Sequence, residues 1–395
     1  MGAIANMPQF YEFFAGAGMA RQGLGSEWKC LYANDFEPMK VSAYEANWGK
    51  GHIHLADINE VQTSDLPGQA DMAWASFPCQ DLSLAGNGAG IGYADDSLQT
   101  RSGTFWAFWR LMSDLRNEGR GPRIVVLENV YGVLRSNGGR DFAAIGECFA
   151  RQGYRFGAMV MDAVHYLPQS RPRVFIVGIA EQEVIDPVLQ RKEPDQFWHP
   201  QPLVDAVSRM TAATRDQWVW WNVQHPRRRA RSLSSIITDQ PDDVSWNSPA
   251  DTQRLVSMMS PINRRKLEQM LVNGKRVVGT AYRRTRGGIQ RTELRTDGVA
   301  GCLRTPGGGS SRQIVVVVQE GEINTRLMSA REAADLMGLP SSFKLPASYN
   351  DAYHVSGDGV AVPVVDHLAR SLLDPIAAVS RSRAYEELSV LQAAE

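Results

Sequence analysis

Cysteine is scarce in this chain. The four that occur, Cys30, Cys79, Cys148 and Cys302, are widely scattered and none belongs to a CxxC pair. A disulfide framework is thereby excluded, and neither a zinc site nor a dithiol redox site is expected, so no metal is assigned. Long apolar runs are missing as well. No stretch approaches the roughly 20 residues that span a bilayer, and no basic segment followed by an apolar one opens the chain. The expectation is a reducing, cytoplasmic setting without a membrane. A full GxGxxG dinucleotide fingerprint is absent, and so is any internal repeat. What remains is an ordinary soluble composition over 395 residues, enough for two or three domains with real cores.

The net charge of −1 conceals an asymmetry. Pro226 to Val316 carries 17 Lys and Arg against 7 Asp and Glu, a balance of +10 that leaves −11 on the rest. A basic segment on an otherwise acidic protein is the footprint of a face that binds a polyanion.

The first 180 or so residues alternate short apolar runs with helical patterns, as βαβ units do. Strands are expected at Gln9–Phe14, Cys30–Ala33, Ala70–Phe77 and Ile124–Leu127, with Arg155–Asp162 and Arg173–Ile179 as a terminal pair. Helices are expected at Pro38–Asn47, Gly103–Asn117 and Phe142–Gln152. After Glu181 prolines, arginines and tryptophans follow without sustained periodicity, which places a boundary near residue 183. Ser329 and Glu332 then match an N-terminal capping box for a helix to Met337. Val360–Leu373 and Ser380–Ala394 read as helices that return to the first domain. The domains expected are 1–183, 184–325 and 326–395.

Four constellations carry chemistry. Phe14-Ala15-Gly16-Ala17-Gly18 follows a strand and precedes a helix, where small residues let a ligand approach backbone N–H groups. Asp35, at the end of the next strand, suits ribose hydroxyls, with Phe36 to stack on an adenine and Asp57-Ile58 to read its edge. Each of these could equally be a turn or core residue. Pro78 sets the approach of Cys79, and Glu128-Asn129-Val130 ends the apolar strand Ile124–Leu127. Cys79 and Glu128 are both expected at carboxyl ends of strands, where ligands bind in such folds, so a nucleophile and a carboxylic acid could share one cleft, or Glu128 caps the following turn. Arg171 and Arg173, two apart before a strand, could bind phosphate or polarise a carbonyl oxygen.

In this order and spacing the glycine loop, FPCQ at 77–80, ENV at 128–130 and QxRxR at 169–173 closely resemble the DNA (cytosine-5) methyltransferase family, of bacterial or phage type. Arg326–Glu332 resembles that family's RxLTxRE segment, with Ser329 for threonine, and 355–365 its closing GNSV element, with Asp358-Gly359 for Asn-Ser. Met19 stands where glycine is common. None of these departures removes a reacting group. The resemblance implies an α/β fold: a Rossmann-like S-adenosylmethionine-dependent methyltransferase domain with a smaller, irregular, basic target-recognition domain.

It further implies that Cys79 adds to C6 of a flipped-out cytosine, that Glu128 binds its N3 and amine edge, and that Arg173 contacts O2 with Arg171 in support. The C5 methyl then comes from S-adenosylmethionine. Phe14 to Gly18, Asp35, Phe36, Asp57, Ile58, Pro78, Phe105, Asp358 and Gly359 would hold that cofactor. Gln80–Asp96, rich in glycine, reads as a lid over the base. Arg283, Arg284, Arg286, Arg291, Arg304, Ser310, Ser311 and Arg312 are expected on double-stranded DNA, with Arg227-Arg228-Arg229 on its phosphates. A monomer serving in DNA methylation, with or without a restriction endonuclease, is the expected form. Action on transfer RNA and a catalytically silent DNA-binding relative are the alternatives.

Overall fold

Seven short strands, apolar on both faces near the middle, pair into one sheet. They are β1 (Gln9–Phe13), β2 (Lys29–Asp35), β3 (Ile53–Leu55), β4 (Met72–Ala75), β5 (Ile124–Val130), β6 (Tyr154–Asp162) and β7 (Pro172–Ala180), in the order β3-β2-β1-β4-β5-β7-β6. The computed structural model describes residues 7–77, 104–272, 275–304 and 311–379, with the backbone alone at residue 286. Strands β3, β2, β1, β4 and β5 run parallel, and β7 runs antiparallel to β5. Ile124–Leu127 is fully buried, as a central parallel strand covered on both faces must be. The chain builds outward from β1 in one direction and from β4 in the other, so the switch point of the topology lies between them.

Helix Thr104–Asn117 covers this sheet because its aromatic residues recur at helical spacing. Phe108 meets Phe13 edge-on at 5.2 Å, and Trp109 meets Phe149 of helix Arg140–Arg151 at 4.8 Å. The described residues fall into two compact units. The first takes its members from Met1–Met161, Pro172–His225 and Val364–Glu395, the second from Asp162–Arg171 and Pro226–Pro363. These cuts differ from those expected at 183 and 325. The tryptophans after Glu181 are the reason, since they extend the first core. Trp218 packs on Phe156 at 5.3 Å, and the Trp198 indole donates to the Val223 carbonyl at 2.8 Å. Strands β8 (Gln190–Arg191) and β9 (Trp220–Trp221) close a small ladder there. At the far end, the Trp28 indole donates to Asp374 at 2.8 Å.

The second unit is more regular than expected. Strands β10 (Val277–Arg286), β11 (Ile289–Arg295), β12 (Ile314–Gln319) and β13 (Glu322–Leu327) form an antiparallel sheet in the order β11-β10-β12-β13. Ile314, Val316 and Val318 face a core with Leu267 and Met270 of helix Pro261–Val272. The period of two was masked by arginines on the exposed part of β10 and β11. Among the described residues no helix is long and apolar enough to cross a membrane.

Two buried acids hold contrasting places. Glu332 accepts from Arg326 through both oxygens (2.6 and 2.8 Å), from the Ser329 N–H (2.9 Å) and from the Thr238 N–H (2.9 Å), completing the expected capping box. Arg326 is fully buried and lies over the Trp246 ring at 4.8 Å. Glu12 on β1 has much less: one oxygen accepts from the Arg21 N–H at 3.3 Å, the Tyr44 hydroxyl lies near, and the other oxygen has no partner within hydrogen-bond distance among the described residues. Burial pushes its carboxyl up to about 8.

Glu332→Ala leaves Arg326 buried and unpaired and should cost about 3–5 kcal/mol in urea unfolding, whereas the double exchange Arg326→Met with Glu332→Leu should recover most of that loss. For Glu12 the folded carboxyl ionises later than the unfolded one, whose ordinary value is 4.5. Stability should therefore fall as pH rises from about 4.5 to about 8, because the unfolded chain releases its proton first. Thermal melts of Glu12→Gln across that window should show a flatter profile than those of the parent protein.

Candidate functional site at the carboxyl edge of the sheet

The turn after β1 is built on positive φ. Phe14 (+56°), Gly16 (+55°) and Gly18 (+78°) all occupy the left-handed region, an uncommon conformation for a phenylalanine. The two glycines serve different ends. A Cβ on Gly18 would strike the Trp48 indole and the Tyr44 ring, so that position is closed by packing. A Cβ on Gly16 would meet nothing within 4 Å, so that position opens outward. The Ala15 N–H donates to the Asn34 carbonyl (2.9 Å) and the Gly16 N–H to Asp35 Oδ2 (2.9 Å), tying the turn to the end of β2.

Asp35 is nearly buried, and its Oδ1 accepts from the Glu37 N–H at 3.0 Å. Burial raises its carboxyl above the usual range, opposed by Lys40 and by these two N–H groups. Beside it Phe36 leaves 58% of its surface exposed, unusual for so large an apolar ring. An open backbone turn, an acceptor carboxylate and a free aromatic face form a donor and stacking set that fits an adenine nucleoside. Asp57 Oδ1 accepts from the N–H and side-chain amide of Asn59 (2.9 and 2.8 Å), and Ile58 is core. Phe105 is fully buried against Phe77, Trp106 and Trp109.

Strand β4 leads into Ser76 and Phe77. The Asn129 side chain donates to the Phe77 carbonyl at 3.2 Å, tying the exit of β4 to the end of β5 two residues before Cys79. Pro78, Cys79, the segment Gln80–Asp96 and Ser310 lie outside the described residues. Glu128 sits on β5, largely buried, and pairs with Arg173 Nε at 3.1 Å. The register explains the meeting. Val130 lies opposite Arg173, and Glu128, two residues back, is on the same face. Arg173 also donates to the Pro172 carbonyl at 2.9 Å. Sequence reasoning missed the Asn129 tether, although its place beside Glu128 was the available signal.

Arg171 is placed otherwise than a partner of Arg173 would be. In the second unit its guanidinium donates to the carbonyls of Leu303 (3.1 Å), Gly357 (2.9 Å) and Gly359 (2.6 Å). Gln169, fully buried, does similar work, donating to the Leu336 carbonyl (2.7 Å) and accepting from the Leu303 N–H (3.2 Å). Asp358 ends helix Tyr349–Asp358, with His354 Nε2 at 3.2 Å, and the Gly359 N–H donates to the Val355 carbonyl at 3.2 Å.

The basic residues divide in the same way. Arg283, Arg284, Arg286 and Arg291 lie on the β10–β11 hairpin. Arg304 is exposed. The Ser311 hydroxyl accepts from the Arg283 N–H at 2.7 Å. Arg312 lies over the Tyr349 and Tyr353 rings (5.2 and 5.9 Å) and hydrogen-bonds Asn350, so it is built into the unit. Arg229 donates to the Val164 carbonyl at 2.9 Å. Among the described residues no group of three His, Cys, Asp or Glu is gathered to hold a metal ion.

Known proteins carry the same organisation. Type II methyltransferase M.NlaX of Neisseria lactamica is 26% identical over 378 residues, covering 95% of this chain and 99% of its own length. Type II methyltransferase M.HhaI of Haemophilus parahaemolyticus is 25% identical over 372 residues, covering 92% and 94%. Among solved structures, the S. pombe Dnmt2 methyltransferase superposes with a TM-score of 0.57 at 17% identity, covering 93% of this chain and 99% of that one. The Entamoeba histolytica methyltransferase EhMeth gives 0.60 at 15% identity, covering 94% and 99%; at these identities the likeness is one of fold. The family model for C-5 cytosine-specific DNA methylase matches residues 8–374, and with nearly its whole length matched the chain belongs to that family.

Proposed function

We propose that this protein methylates C5 of cytosine within a short sequence of duplex DNA, with S-adenosylmethionine as methyl donor and Cys79 as nucleophile. The observation that carries the reading is the Glu128–Arg173 pair on the carboxyl edge of the sheet, beside the strand exit that Asn129 ties down before Cys79. Membership in the C-5 cytosine-specific family and the likeness to type II methyltransferases support the same activity. The relatives also support a role within a restriction–modification system.

The residue types follow from the chemistry. C5 of cytosine is a poor nucleophile until C6 is attacked, and a cysteine suits that attack because a few per cent is thiolate at neutral pH. As the Cys79 Sγ–C6 bond forms, the electron pair of the C5–C6 double bond shifts toward C5 and the ring. Glu128, as the acid, donates to N3, and Arg173 donates to O2, so both draw density from C6. In the free protein these side chains satisfy one another, and the edge of the base offers each a new partner. Bound S-adenosylmethionine supplies an electrophilic methyl group to C5, with Phe36, Asp35 and the Gly16 turn as its holders. The C5 proton then passes to solvent, the C5–H pair re-forms the C5–C6 double bond, and the Sγ–C6 bond breaks with its pair on sulfur, freeing Cys79 as thiolate. Arg171 acts as a positioning residue, anchoring the segment that precedes β7 through its three carbonyl partners.

We assign target recognition to the basic residues between 184 and 325, chiefly the β10–β11 hairpin, on a protein that works as a monomer. A duplex must yield its cytosine to the pocket, at a cost of a few kcal/mol.

Methyl transfer to mixed-sequence duplex, read by bisulfite sequencing, should mark cytosines in one short motif and vanish in Cys79→Ala while cofactor binding persists. Glu128→Gln should lower kcat by about 10²–10⁴-fold and Arg173→Ala by about 10²–10³-fold. Transfer to transfer RNA with none to duplex would instead favour the RNA alternative. Phe36→Ala should raise the calorimetric Kd for S-adenosylmethionine about 2- to 10-fold, the worth of one aromatic stack, without lowering the melting temperature.

A further inference from the structure

The β10–β11 hairpin outruns its sheet. β10 pairs with β12 only over Val277–Ala281, whereas its ladder with β11 continues to Arg286 opposite Ile289. Residues 282–291 therefore form a two-stranded ribbon without a third strand, turned through Gly287 (φ +56°) and Gly288 (φ +75°). Among the described residues only Ser311 hydrogen-bonds the outer edge at Arg283, through its hydroxyl and its N–H. A two-stranded ribbon is of a size the major groove of DNA admits.

The register sorts the ribbon's side chains by face. Arg283 lies opposite Thr292 and Thr285 opposite Gln290, while Arg284 lies directly opposite Arg291 on the other face. Opposed Cβ atoms in an antiparallel ladder are about 4.5–5.5 Å apart, and like charges so placed repel. Glu293, on the same face, accepts from the Asn263 side-chain amide at 3.1 Å, and among the described residues neither guanidinium is in an ion pair. Among the described residues the free protein thus holds two guanidinium groups side by side with no ion-pair partner.

A single arginine already satisfies the O6 and N7 edge of guanine. Two guanidiniums borne at directly opposed positions match something else: a phosphodiester, which carries a full negative charge and offers several oxygens to both at once. We propose that Arg284 and Arg291 form a clamp on one backbone phosphate of the duplex, setting the register of the ribbon while other side chains read sequence. The proposal rests on the DNA reading above.

The test uses the full-length protein with Arg284→Gln, Arg291→Gln and Arg291→Glu. Binding is followed by fluorescence anisotropy on a duplex carrying the methylated site and on a scrambled duplex, from about 50 to 200 mM salt. Because both arginines share one phosphate, each glutamine should lower the slope of log Kd against log salt by a fraction of one, the two together by about one, and each should weaken both duplexes by the same factor. Arg291→Glu turns repulsion into a cross-strand ion pair, so it should raise the melting temperature of the free protein while weakening both duplexes further.

A loss confined to the site-bearing duplex would make the pair a base reader and overturn the clamp, as would an unchanged salt slope. A lower melting temperature in Arg291→Glu would remove the repulsion on which the argument stands. A parent protein that binds duplex with the predicted slopes but transfers no methyl group would defeat the enzymatic reading and leave the clamp intact. An active enzyme whose variants keep the parent's slope does the reverse.

Discussion

One strand runs the wrong way, and the site depends on it. In a sheet of parallel strands the carboxyl ends open on one edge and the amino ends on the other. Because β7 runs antiparallel to β5, its first residues arrive at the carboxyl edge. An arginine at the start of a strand can therefore meet a glutamate near the end of another. Without that reversal Arg173 would sit at the opposite edge from Glu128, a strand's length away. The same edge receives the glycine turn from β1, Asp35 and Phe36 from β2, and the chain leaving β4 toward Cys79, so one topological choice gathers groups scattered over some 160 residues of sequence.

Residues in the recognisable motifs divide between touching a ligand and holding the frame. In the run from Gln169 to Arg173, the glutamine and the first arginine are consumed by backbone carbonyls and N–H groups of the second unit, while the second arginine reaches the carboxylate. In the run from Arg326 to Glu332 the charged side chains form hydrogen bonds that serve the fold: a bidentate ion pair, a helix cap, a link to Thr238, and Arg331 on the Pro340 and Phe343 carbonyls. Buried polar groups of this sort must be satisfied or they destabilise, so these residues answer to packing as much as to chemistry.

Much of the first unit was legible because its signals are local. Apolar runs bounded by glycine marked β1, β4 and β5, aromatic spacing marked helix Thr104–Asn117, and Ser329 with Glu332 marked a helix start. What could not be read is what depends on partners distant in sequence. The tryptophans at 198, 218 and 221 look like irregular texture until they are seen in the core with Phe156. Arg171 and Arg173 have the same side chain and adjacent places, yet one is spent on carbonyls some 130 to 190 residues further along the chain, a fact no spacing rule contains. The β10–β11 hairpin escaped because its alternation is visible only once the pairing of Arg284 with Arg291 is known.

That hairpin also bears on how such a protein can change. Its last buried side chain toward the tip is Thr292, whose N–H donates to the Met258 carbonyl, and beyond it residues 284–291 add no buried side chain among the described residues. Residues 282–291 can be exchanged, shortened or lengthened while the sheet that carries them keeps its register. Variation at the tip of the ribbon therefore leaves the packed core of the sheet that carries it unchanged.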